Sequence, residues 1–457
     1  GSGDGLSQPL TGGATSGTGS TTGGATSGLG GSTAPGTATT ATEPLATVPV
    51  DPADAASSAA LKKPLEIGVV VYPDIKQFAA LFGASGSPGD QRAEAQTAIT
   101  WVNTHGGLNG HKVVPVFFEV ELTSTQPYAQ TYQQICQSFT VDHHVVATIF
   151  VGNAEPALPS CLAKRGSLFI AHGHYLRDAR SYQGLQLTVT PNDAGSDRVA
   201  RAMVTQMLAN GLVKRGETLG LLVMDYDAPQ RGRDLMTTLL KAQGILVASY
   251  TIPYPQSTQA IGDSAAVVQG AELNFAARGI KTVAFLCPGC ASFFLGDAES
   301  QQYHPKYVVS SFDGVGGVKG QGHGKSLEGA IAVGWQPMQD VGSYSNPKEL
   351  AKNTTHQLCR TIEKAHAVDD TSLFASEAFC GAVQDIYAAA KVNPVEPITG
   401  ASLMAGFHRM GTSHAGAANF STMLRADHRD GTASYKLMRY QAACDCFVYQ
   451  PRLLPFS

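Results

Sequence analysis

A Cys-Pro-Gly-Cys turn at residues 287–290 is the stretch whose residue types and spacing most clearly suit chemistry. It follows a predicted strand and precedes an apolar helical run, which is a setting where thiol oxidoreductases hold a reactive cysteine pair. A complete thioredoxin-like unit, with its later strand carrying a proline, is not evident around it. The sequence therefore favours a structural disulfide between Cys287 and Cys290, with a thiol oxidoreductase as the less favoured alternative.

Other motifs with catalytic or metal-binding chemistry are incomplete. The glycine-rich run at residues 314–326 ends in Gly-Lys-Ser, as a phosphate-binding loop does, but Lys319 stands where that loop needs its first glycine. His172 and His174 flank a glycine, and further metal ligands would have to come from loops that no pattern identifies. The sequence contains neither a His-Glu-x-x-His motif nor a Gly-x-Ser-x-Gly elbow. We therefore expect no metal, no cofactor and no enzymatic activity.

Composition and charge exclude further classes of function. The 457 residues carry a formal net charge of -4, which gives no basic face for nucleic acid or an anionic membrane. Residues 1–64 are dominated by Gly, Ser, Thr, Ala and Pro, so they cannot bury enough apolar surface to offset their ordering entropy. We predict a disordered tether there, followed by enough chain for two domains of ordinary size.

The eight cysteines, an even number, indicate an oxidising, exported setting. Proximity along the chain suggests four disulfides, although spacing alone leaves other connectivities open. The predicted pairs are Cys136 with Cys161, Cys287 with Cys290, Cys359 with Cys380, and Cys444 with Cys446.

Residues 65–119 predict a complete β-α-β unit, which positions the first candidate loops. Residues 65–71 form a β-branched run typical of a strand buried on both faces of a parallel sheet. Asp90 is suited to cap a helix that runs to the glycines at 106 and 107, and residues 113–118 supply the second strand. Ligands bind at the carboxyl ends of such strands, so the loops after them are candidate sites.

Strands and helices then alternate in two series separated by Pro-Asn-Asp at residues 191–193. A long apolar helix at residues 376–391 follows the second series, and we expect it to pack back on the first lobe. The predicted fold class is α/β, with two discontinuous Rossmann-like lobes built on parallel central sheets. The predicted N-terminal lobe is 65–190 plus 338–434, and the predicted C-terminal lobe is 191–337 plus 435–457.

The run Trp-Val-Asn-Thr-His-Gly-Gly-Leu-Asn-Gly-His-Lys-Val at residues 101–113 resembles the opening of the type I periplasmic binding proteins, in the branched-chain amino acid (Leu/Ile/Val-binding) branch. Weaker similarity continues in family order through the loop at residues 225–232, Asp313 after a strand, and Asp430-Gly431. The resemblance implies two lobes joined by a three-segment hinge that close over a small solute. It also implies an extracytoplasmic solute-binding protein that serves the permease of an ABC importer.

The loops after the strands of both lobes supply the candidate ligand contacts. Residues 152–155 place backbone N–H groups at the start of a predicted helix, where they could bind an anion. The alternative is that these residues form an ordinary helix N-cap with no ligand. Asp313 resembles the family acid that receives a ligand ammonium, or it makes a turn with Gly314. Two histidines, three tyrosines and one tryptophan are further candidates. Each of them either contacts the ligand or has a structural role, the histidines in loops and the aromatic residues in the core. The predicted ligand-binding residues are Tyr72, Asn153, Ala154, Glu155, His172, His174, Tyr175, Tyr226, Asp313 and Trp335.

The two first-lobe loops depart from the amino acid-binding pattern, in which Ser and Thr hydroxyls take the ligand carboxylate. Here they read Gly-Asn-Ala-Glu and His-Gly-His, so an amino acid, another polar metabolite and an aromatic metabolite all stay open. A ligand-sensing receptor of the same fold is the alternative to an importer component. The leader resembles the spacer after the lipid-modified cysteine of bacterial lipoproteins, although the sequence shows no such cysteine; we expect a monomer with a lipid anchor.

Overall fold

The computed structural model describes residues 62–80, 89–152, 154–173, 175–318, 324, 326–341, 350–366, 368 and 378–457. Most of the predicted tether lies outside these residues. The first strand begins at Lys62 rather than at Leu65, so the predicted tether boundary falls inside it. None of the helices in the described ranges has the length and apolarity that a membrane span needs.

The strands and helices are numbered along the chain. The strands are β1 (Lys62–Val71), β2 (His111–Glu119), β3 (Ala147–Val151), β4 (Leu168–His172), β5 (Thr188–Val189), β6 (Thr218–Met224), β7 (Leu246–Ile252), β8 (Thr282–Leu286), β9 (Lys306–Ser310), β10 (Ile331–Gly334), β11 (Ser434–Gln441) and β12 (Cys446–Pro455). The helices are α1 (Ile75–Ala80), α2 (Gln91–Thr104), α3 (Tyr128–Gln137), α4 (Ala157–Lys164), α5 (Ala179–Gln183), α6 (Ser196–Ala209), α7 (Asp227–Lys241), α8 (Ala260–Ala277), α9 (Cys290–Ser300), α10 (Pro337–Val341), α11 (Thr354–Ala365), α12 (Ala378–Val392) and α13 (Gly400–Met410).

The first sheet is entirely parallel, in the order β2-β1-β3-β4-β5. Successive residues of β1 point to opposite faces: Val69 packs in a core with α2, α11, α12 and α13, whereas Val70 packs with α3 and α4. Asp90 caps α2 as predicted, since its Oδ1 accepts a hydrogen bond from the N–H of Ala93 at 2.9 Å. Helix α12 packs against α2 and β3, as the sequence predicts for the helix at residues 376–391.

The second sheet has the order β12-β11-β10-β9-β8-β6-β7 and is parallel from β10 to β7. Strands β11 and β12 add an antiparallel hairpin next to β10. Helices α6 and α7 cover one face of the sheet, and α8 and α9 cover the other. Residues 326–329 form a turn, and β10 follows from Ile331.

Three crossing segments connect the two lobes, and two of them are bonded directly to each other. Thr190, after β5, forms a parallel bridge with Asp430, which lies shortly before β11. The N–H of Thr432 donates to the carbonyl oxygen of Asp193 at 3.0 Å. Gln336, after β10, donates from Nε2 to Oδ1 of Asp193 at 2.9 Å, which brings the remaining connection into the same network.

A buried ion pair between Arg198 and Asp430 strengthens this junction. Arg198 Nε donates to Asp430 Oδ2 at 3.0 Å, and the N–H of Gly195 donates to the same oxygen at 2.6 Å. A Cβ atom at Gly195 would lie 2.5 Å from that oxygen, so only glycine permits this approach. The side chains of Arg198 and Asp430 are 13% and 10% exposed, so water screens their attraction little.

All eight cysteines are paired in the four disulfides that the sequence predicts. Cys136–Cys161 joins α3 to α4 on one face of the first sheet, and Cys359–Cys380 joins α11 to α12 on the other. Cys287–Cys290 closes the turn before α9, and Cys444–Cys446 closes the turn between β11 and β12.

Removing the disulfide that joins α11 to α12 should destabilise the protein. The double substitution Cys359→Ser with Cys380→Ser opens a loop with a sequence separation of 21. By loop-closure entropy we expect a loss of about 3 kcal/mol in the free energy of unfolding, measured by chemical denaturation. The matched control is Cys444→Ser with Cys446→Ser, at a separation of 2, which should cost much less. Equal losses for the two variants would contradict the entropic account.

Candidate ligand-binding site

A cavity of about 340 Å³ lies between the two lobes, at the carboxyl ends of both sheets. In the first lobe the loops after β1, β2 and β3 line it, and in the second lobe those after β6, β7, β8 and β9 do so. Parallel strands place their carboxyl ends at one edge of a sheet, so the loops of the two lobes face each other here. Helices α3, α8 and α9 contribute further lining residues.

Aromatic side chains from both lobes line the cavity. Tyr72 packs edge-on against Phe150, with ring centroids 6.2 Å apart. Gly152 leaves room for this arrangement, because a Cβ atom there would lie 2.7 Å from the Tyr72 hydroxyl oxygen. Burial raises the pKa of Tyr72, Tyr132 and Tyr254, so their hydroxyls stay protonated at neutral pH. The aromatic lining residues are Tyr72, Phe78, Tyr128, Tyr132, Phe150, Tyr226, Tyr254, Phe293 and Phe312.

A cluster of tyrosines bridges the lobes beside the cavity. Tyr175 of the first lobe stacks on Tyr226 of the second, with ring centroids 4.4 Å apart, and Tyr254 packs edge-on against both. The hydroxyl oxygen of Tyr226 accepts a hydrogen bond from the N–H of Leu176 at 2.8 Å. Burial raises the pKa of Tyr175 to about 12. The cluster therefore remains uncharged while it holds the two lobes together.

An ion pair also joins the lobes. Arg231 on α7 donates to both carboxylate oxygens of Asp178, which caps α5, at 2.5 and 2.8 Å. Burial alone would raise the pKa of Asp178, but the hydrogen bonds from Arg231 and Ser181 outweigh it and lower this pKa. The carboxylate is therefore charged at neutral pH and contributes a bidentate contact across the gap.

Asp313 is the buried acid of the cavity wall. Its Oδ2 accepts hydrogen bonds from the N–H of Ser310 at 2.7 Å and from the Ser310 hydroxyl at 3.1 Å. Its Oδ1 is also buried, and the described residues offer it no hydrogen-bond partner. The residue is 7% exposed, and burial raises the pKa of Asp313 to about 7. An unsatisfied buried carboxyl oxygen of this kind is suited to a polar group of a ligand.

Gln339 links the cavity to the lobe crossings. It lines the cavity, and its Nε2 lies 2.9 Å from Nε2 of His172, which accepts the hydrogen bond if the imidazole is neutral. Nδ1 of His172 lies 3.9 Å from Oδ1 of Asp193, the residue that Gln336 also contacts. Burial raises the pKa of Asp193 to about 7. Gln339 therefore connects the cavity wall to His172, whose Nδ1 lies close to Asp193 of the junction but beyond hydrogen-bond distance.

The structure brings three of the predicted ligand residues to the cavity wall: Tyr72, Tyr226 and Asp313. His172 lies behind Gln339. Glu155 is half-buried outside the described lining, and burial raises its pKa. Asn153 and His174 lie outside the described residues.

Three predicted contacts have other roles in the structure. Trp335 is fully buried in the second-lobe core, with its ring 4.8 Å from Phe312 and 5.8 Å from Phe456, and it does not belong to the described cavity lining. Ala154 is fully buried, and its carbonyl oxygen accepts a hydrogen bond from Arg177 at 2.6 Å. Tyr175 belongs to the tyrosine cluster between the lobes rather than to the cavity lining.

Several lining residues were not predicted. Tyr254 lies in the loop after β7, the edge strand of the second sheet. Its position after a parallel strand is the sequence signal that indicates a ligand contact. Tyr128 and Tyr132 lie four positions apart on α3, so they share one face of the helix. Gln339 lies on α10, a short helix without a strong sequence signal.

The fold and the cavity define a two-lobed ligand-binding protein of the type I periplasmic binding fold. The chain belongs to the periplasmic binding protein family, whose family model matches residues 78–445. A comparison with curated proteins finds no significant match. Among the described residues, no group of three or more His, Cys, Asp or Glu side chains is arranged to hold a metal ion.

Solved structures of similar fold share little sequence with the chain. A solute-binding protein of an ABC transporter from Rhodopseudomonas palustris, in complex with 4-hydroxybenzoate, has a TM-score of 0.61 at 12% identity, covering 86% of this chain and 98% of that one. A fatty acid ABC transporter substrate-binding protein from Thermomonospora curvata has a TM-score of 0.59 at 14% identity, covering 86% and 92%. An ABC transporter substrate-binding protein from Desulfitobacterium hafniense, in complex with Leu, has a TM-score of 0.56 at 15% identity, covering 85% and 100%.

Removing the ion pair between the lobes should favour a more open form. In Arg231→Gln the buried Asp178 loses its charged partner, so we expect a larger radius of gyration in small-angle X-ray scattering. The matched control is Arg233→Gln, because Arg233 pairs with the adjacent Asp234 within the same lobe. An unchanged radius in Arg231→Gln would show that the other contacts between the lobes suffice.

The buried carboxyls should make stability depend on pH. Asp193, Asp313 and Asp340 each have a pKa raised to about 7 by burial, so the folded state keeps their protons to higher pH than the unfolded state does. The free energy of unfolding should therefore fall as pH rises from about 4 to about 7, by up to about 1.4 kcal/mol per pH unit for each group.

Asp313→Asn should flatten this dependence without abolishing it, as measured by chemical denaturation across the same pH range. The exposed Asp234→Asn is the matched control for the loss of one carboxyl. A slope in Asp313→Asn equal to that of the unsubstituted protein would show that Asp313 does not hold its proton.

Proposed function

We propose that the chain is an extracytoplasmic solute-binding protein that captures a small, largely apolar or aromatic ligand between its lobes and presents it to the permease of an ABC importer. The observation that carries the proposal is the aromatic cavity at the strand ends, which residues of both lobes line. A ligand that contacts both lobes favours the closed arrangement, because it binds that arrangement more tightly than the open one.

The lining favours the aromatic alternative among the ligand classes that the sequence leaves open. Apolar and aromatic side chains with a few convergent polar groups are typical of sites for compact organic molecules. The buried residues with polar groups in the described lining include Tyr72, Tyr132, Ser264 and Asp313, and Gln339 is half-buried. The similar structures with bound 4-hydroxybenzoate and Leu show that this fold accepts different ligands, so the fold alone does not select one.

The location and the partners are part of the same proposal. Four disulfides suit an oxidising compartment outside the cytoplasm. We also propose, from the family resemblance, that the protein is a monomer with a lipid anchor on its leader. The same resemblance places the lobe boundaries at residues 190, 338 and 435.

We propose binding without turnover. The alternative of a thiol oxidoreductase rested on Cys287 and Cys290, which form a disulfide whose two residues are 1% and 3% exposed. This disulfide closes the turn after β8, and Pro288, Gly289 and Cys290 belong to the cavity wall. A role in shaping the wall accounts for the pair without redox chemistry.

A thermal-shift screen of aromatic acids, amines, amides, amino acids and fatty acids, confirmed by calorimetry, tests the proposal. A ligand that binds only the folded form raises the melting temperature, and the shift grows with concentration. Ser292 is exposed and lines the cavity from α9, so Ser292→Trp should obstruct the site and weaken binding of any hit by at least about tenfold.

The matched control is Ser300→Trp, at an exposed position of the same helix outside the described lining. It should bind as the unsubstituted protein does. The proposal fails if no compound binds, or if Ser292→Trp leaves the binding of every hit unchanged.

A further inference from the structure

We propose that the second lobe carries a peripheral membrane-binding surface that docks on the anionic headgroups of a phospholipid bilayer. The surface lies at the amino-terminal ends of β6, β7, β8 and β9, and we call it the basal surface. The ligand cavity lies at the opposite, carboxyl ends of the same strands, so both can be occupied at once. The proposal goes beyond solute capture and does not depend on which ligand the cavity takes.

The backbone brings the loops of the basal surface side by side. The N–H of Gly216, before β6, donates to the carbonyl oxygen of Gly244, before β7, at 2.9 Å. The N–H of Lys306, which begins β9, donates to the carbonyl oxygen of Lys281, before β8, at 2.8 Å. Strands β6 and β8 are themselves neighbours in the sheet, and neighbouring strands lie about 4.8 Å apart. Side chains from all four strand starts therefore share one surface.

Six exposed cationic side chains belong to the basal surface, although the net charge of the whole chain is -4. The ion pairs of the described residues include none of the six. Glu217 is an acid of the same loops, and its Oε2 accepts a hydrogen bond from the N–H of Lys214 at 2.8 Å. Glu299, near the end of α9, has its own partner, since Nδ1 of His304 lies 3.7 Å from its Oε2. The six cations are Lys214, Arg215, Lys241, Arg278, Lys281 and Lys306.

Helix ends account for only part of this charge. Lys241 ends α7 and Arg278 directly follows α8, where the helix dipole favours cations. The other four cations lie in loops or at the start of a strand, where that explanation does not apply. Six like charges on one surface create a positive potential that attracts an anionic membrane.

A pocket of about 120 Å³ within the basal surface suits a phosphate group. Arg278 and Lys281 line it together with Thr218 and Glu217. An arginine fork binds two phosphate oxygens, and a lysine ammonium adds a point charge. One headgroup phosphate would be held here by charge and hydrogen bonds, while the surrounding cations contact neighbouring headgroups.

Two exposed leucines beside the cations favour a bilayer over a soluble polyanion. Leu246, at the start of β7, is 62% exposed and Leu273 on α8 is 50% exposed, the highest values for large apolar side chains in the described part of the chain. Leu273 lies five residues before Arg278 on the exposed side of α8. Ala248 packs with α8 in one core, and Leu246 points to the same face of the sheet because it lies two residues earlier. Both leucines are therefore placed to insert among headgroups while the cations bind phosphates.

The corresponding end of the first lobe offers a weaker match. There Nζ of Lys62 and Nε2 of His111 lie 2.5 and 3.1 Å from the same oxygen, Oε1 of Glu396, which offsets part of the positive charge. Val395, next to Glu396, is 43% exposed, but valine has less apolar area to insert than leucine. The two ends point away from each other, because the carboxyl ends of the two sheets face one another across the cavity. A bilayer therefore contacts one end at a time, and the unpaired cations favour the basal surface.

Cosedimentation of the full chain with vesicles of phosphatidylcholine, with and without phosphatidylglycerol, tests the proposal. We expect binding only to the anionic vesicles, and weaker binding as the salt concentration rises, because salt screens the attraction. Arg278→Gln with Lys281→Gln should weaken this binding by at least about tenfold. The matched control is Lys164→Gln with Arg165→Gln, which removes two exposed cations at the end of α4 in the first lobe and should bind as the unsubstituted protein does.

The leucines separate a bilayer from a soluble polyanion. Leu246→Thr and Leu273→Gln keep the charge and suit a strand and a helix, so each should weaken vesicle binding by about threefold or more and leave any binding of soluble polyphosphate unchanged. The proposal is overturned if anionic vesicles are not bound, if Arg278→Gln with Lys281→Gln binds as its control does, or if both leucine variants keep full vesicle binding, which would indicate a soluble polyanion. Ligand binding in the cavity, measured on the same variants, should be unchanged, so this proposal and solute capture fail independently.

Discussion

The ion pair between Arg198 and Asp430 is the interaction on which the two-lobed arrangement depends. Arg198 follows the first crossing segment and Asp430 belongs to the last, so the pair fixes one connection between the lobes against another. Removing one partner of a buried pair leaves an uncompensated charge and typically costs about 3–5 kcal/mol, whereas replacing both is often neutral. The pair therefore defines where the lobes meet more than it adds net stability. The cavity lies between the lobes that this junction connects, and the tyrosine cluster and the Arg231–Asp178 ion pair add further contacts beside it.

Asp313 shows how one side chain serves both the fold and the site. The sequence presents turn formation and ligand contact as alternatives for this residue. In the structure, one oxygen completes the short helical turn after β9 through Ser310, and the other has no partner among the described residues. The turn therefore fixes the orientation of the carboxyl group and leaves its second oxygen able to accept a hydrogen bond. Burial raises the pKa of Asp313 to about 7, so the neutral acid is favoured below that pH.

The regular elements could be predicted from the sequence because their signals are local. The strands predicted at residues 65–71 and 113–118 lie within β1 and β2 of the structure, since buried parallel strands are short apolar runs between turn residues. Helix α13, which begins at Gly400 and contains Gly406, was not predicted. The structure shows the reason for Gly406: a Cβ atom there would lie 2.1 Å from the carbonyl oxygen of Ala389, so glycine permits close packing on α12. Such a constraint exists only after the two helices meet.

The candidate site was less predictable, because strand-end position does not tell which way a side chain points. Tyr72 and Trp335 both follow a strand, but Tyr72 lines the cavity and Trp335 packs in the core. The junction network was also hidden, since Asp193 and Gln336 are far apart in sequence and contact each other only in the folded chain. Long-range polar pairing of this kind leaves no periodic pattern.

The distribution of aromatic residues also determines which optical signal reports on the site. Neither tryptophan belongs to the described cavity lining: Trp101 stacks on His105 at the end of α2, and Trp335 lies in the second-lobe core, with its ring 4.8 Å from that of the lining residue Phe312. Three tyrosines, by contrast, stack on one another at the contact between the lobes. Tyrosine absorption and near-ultraviolet dichroism are therefore the intrinsic spectroscopic signals that report most directly on that contact.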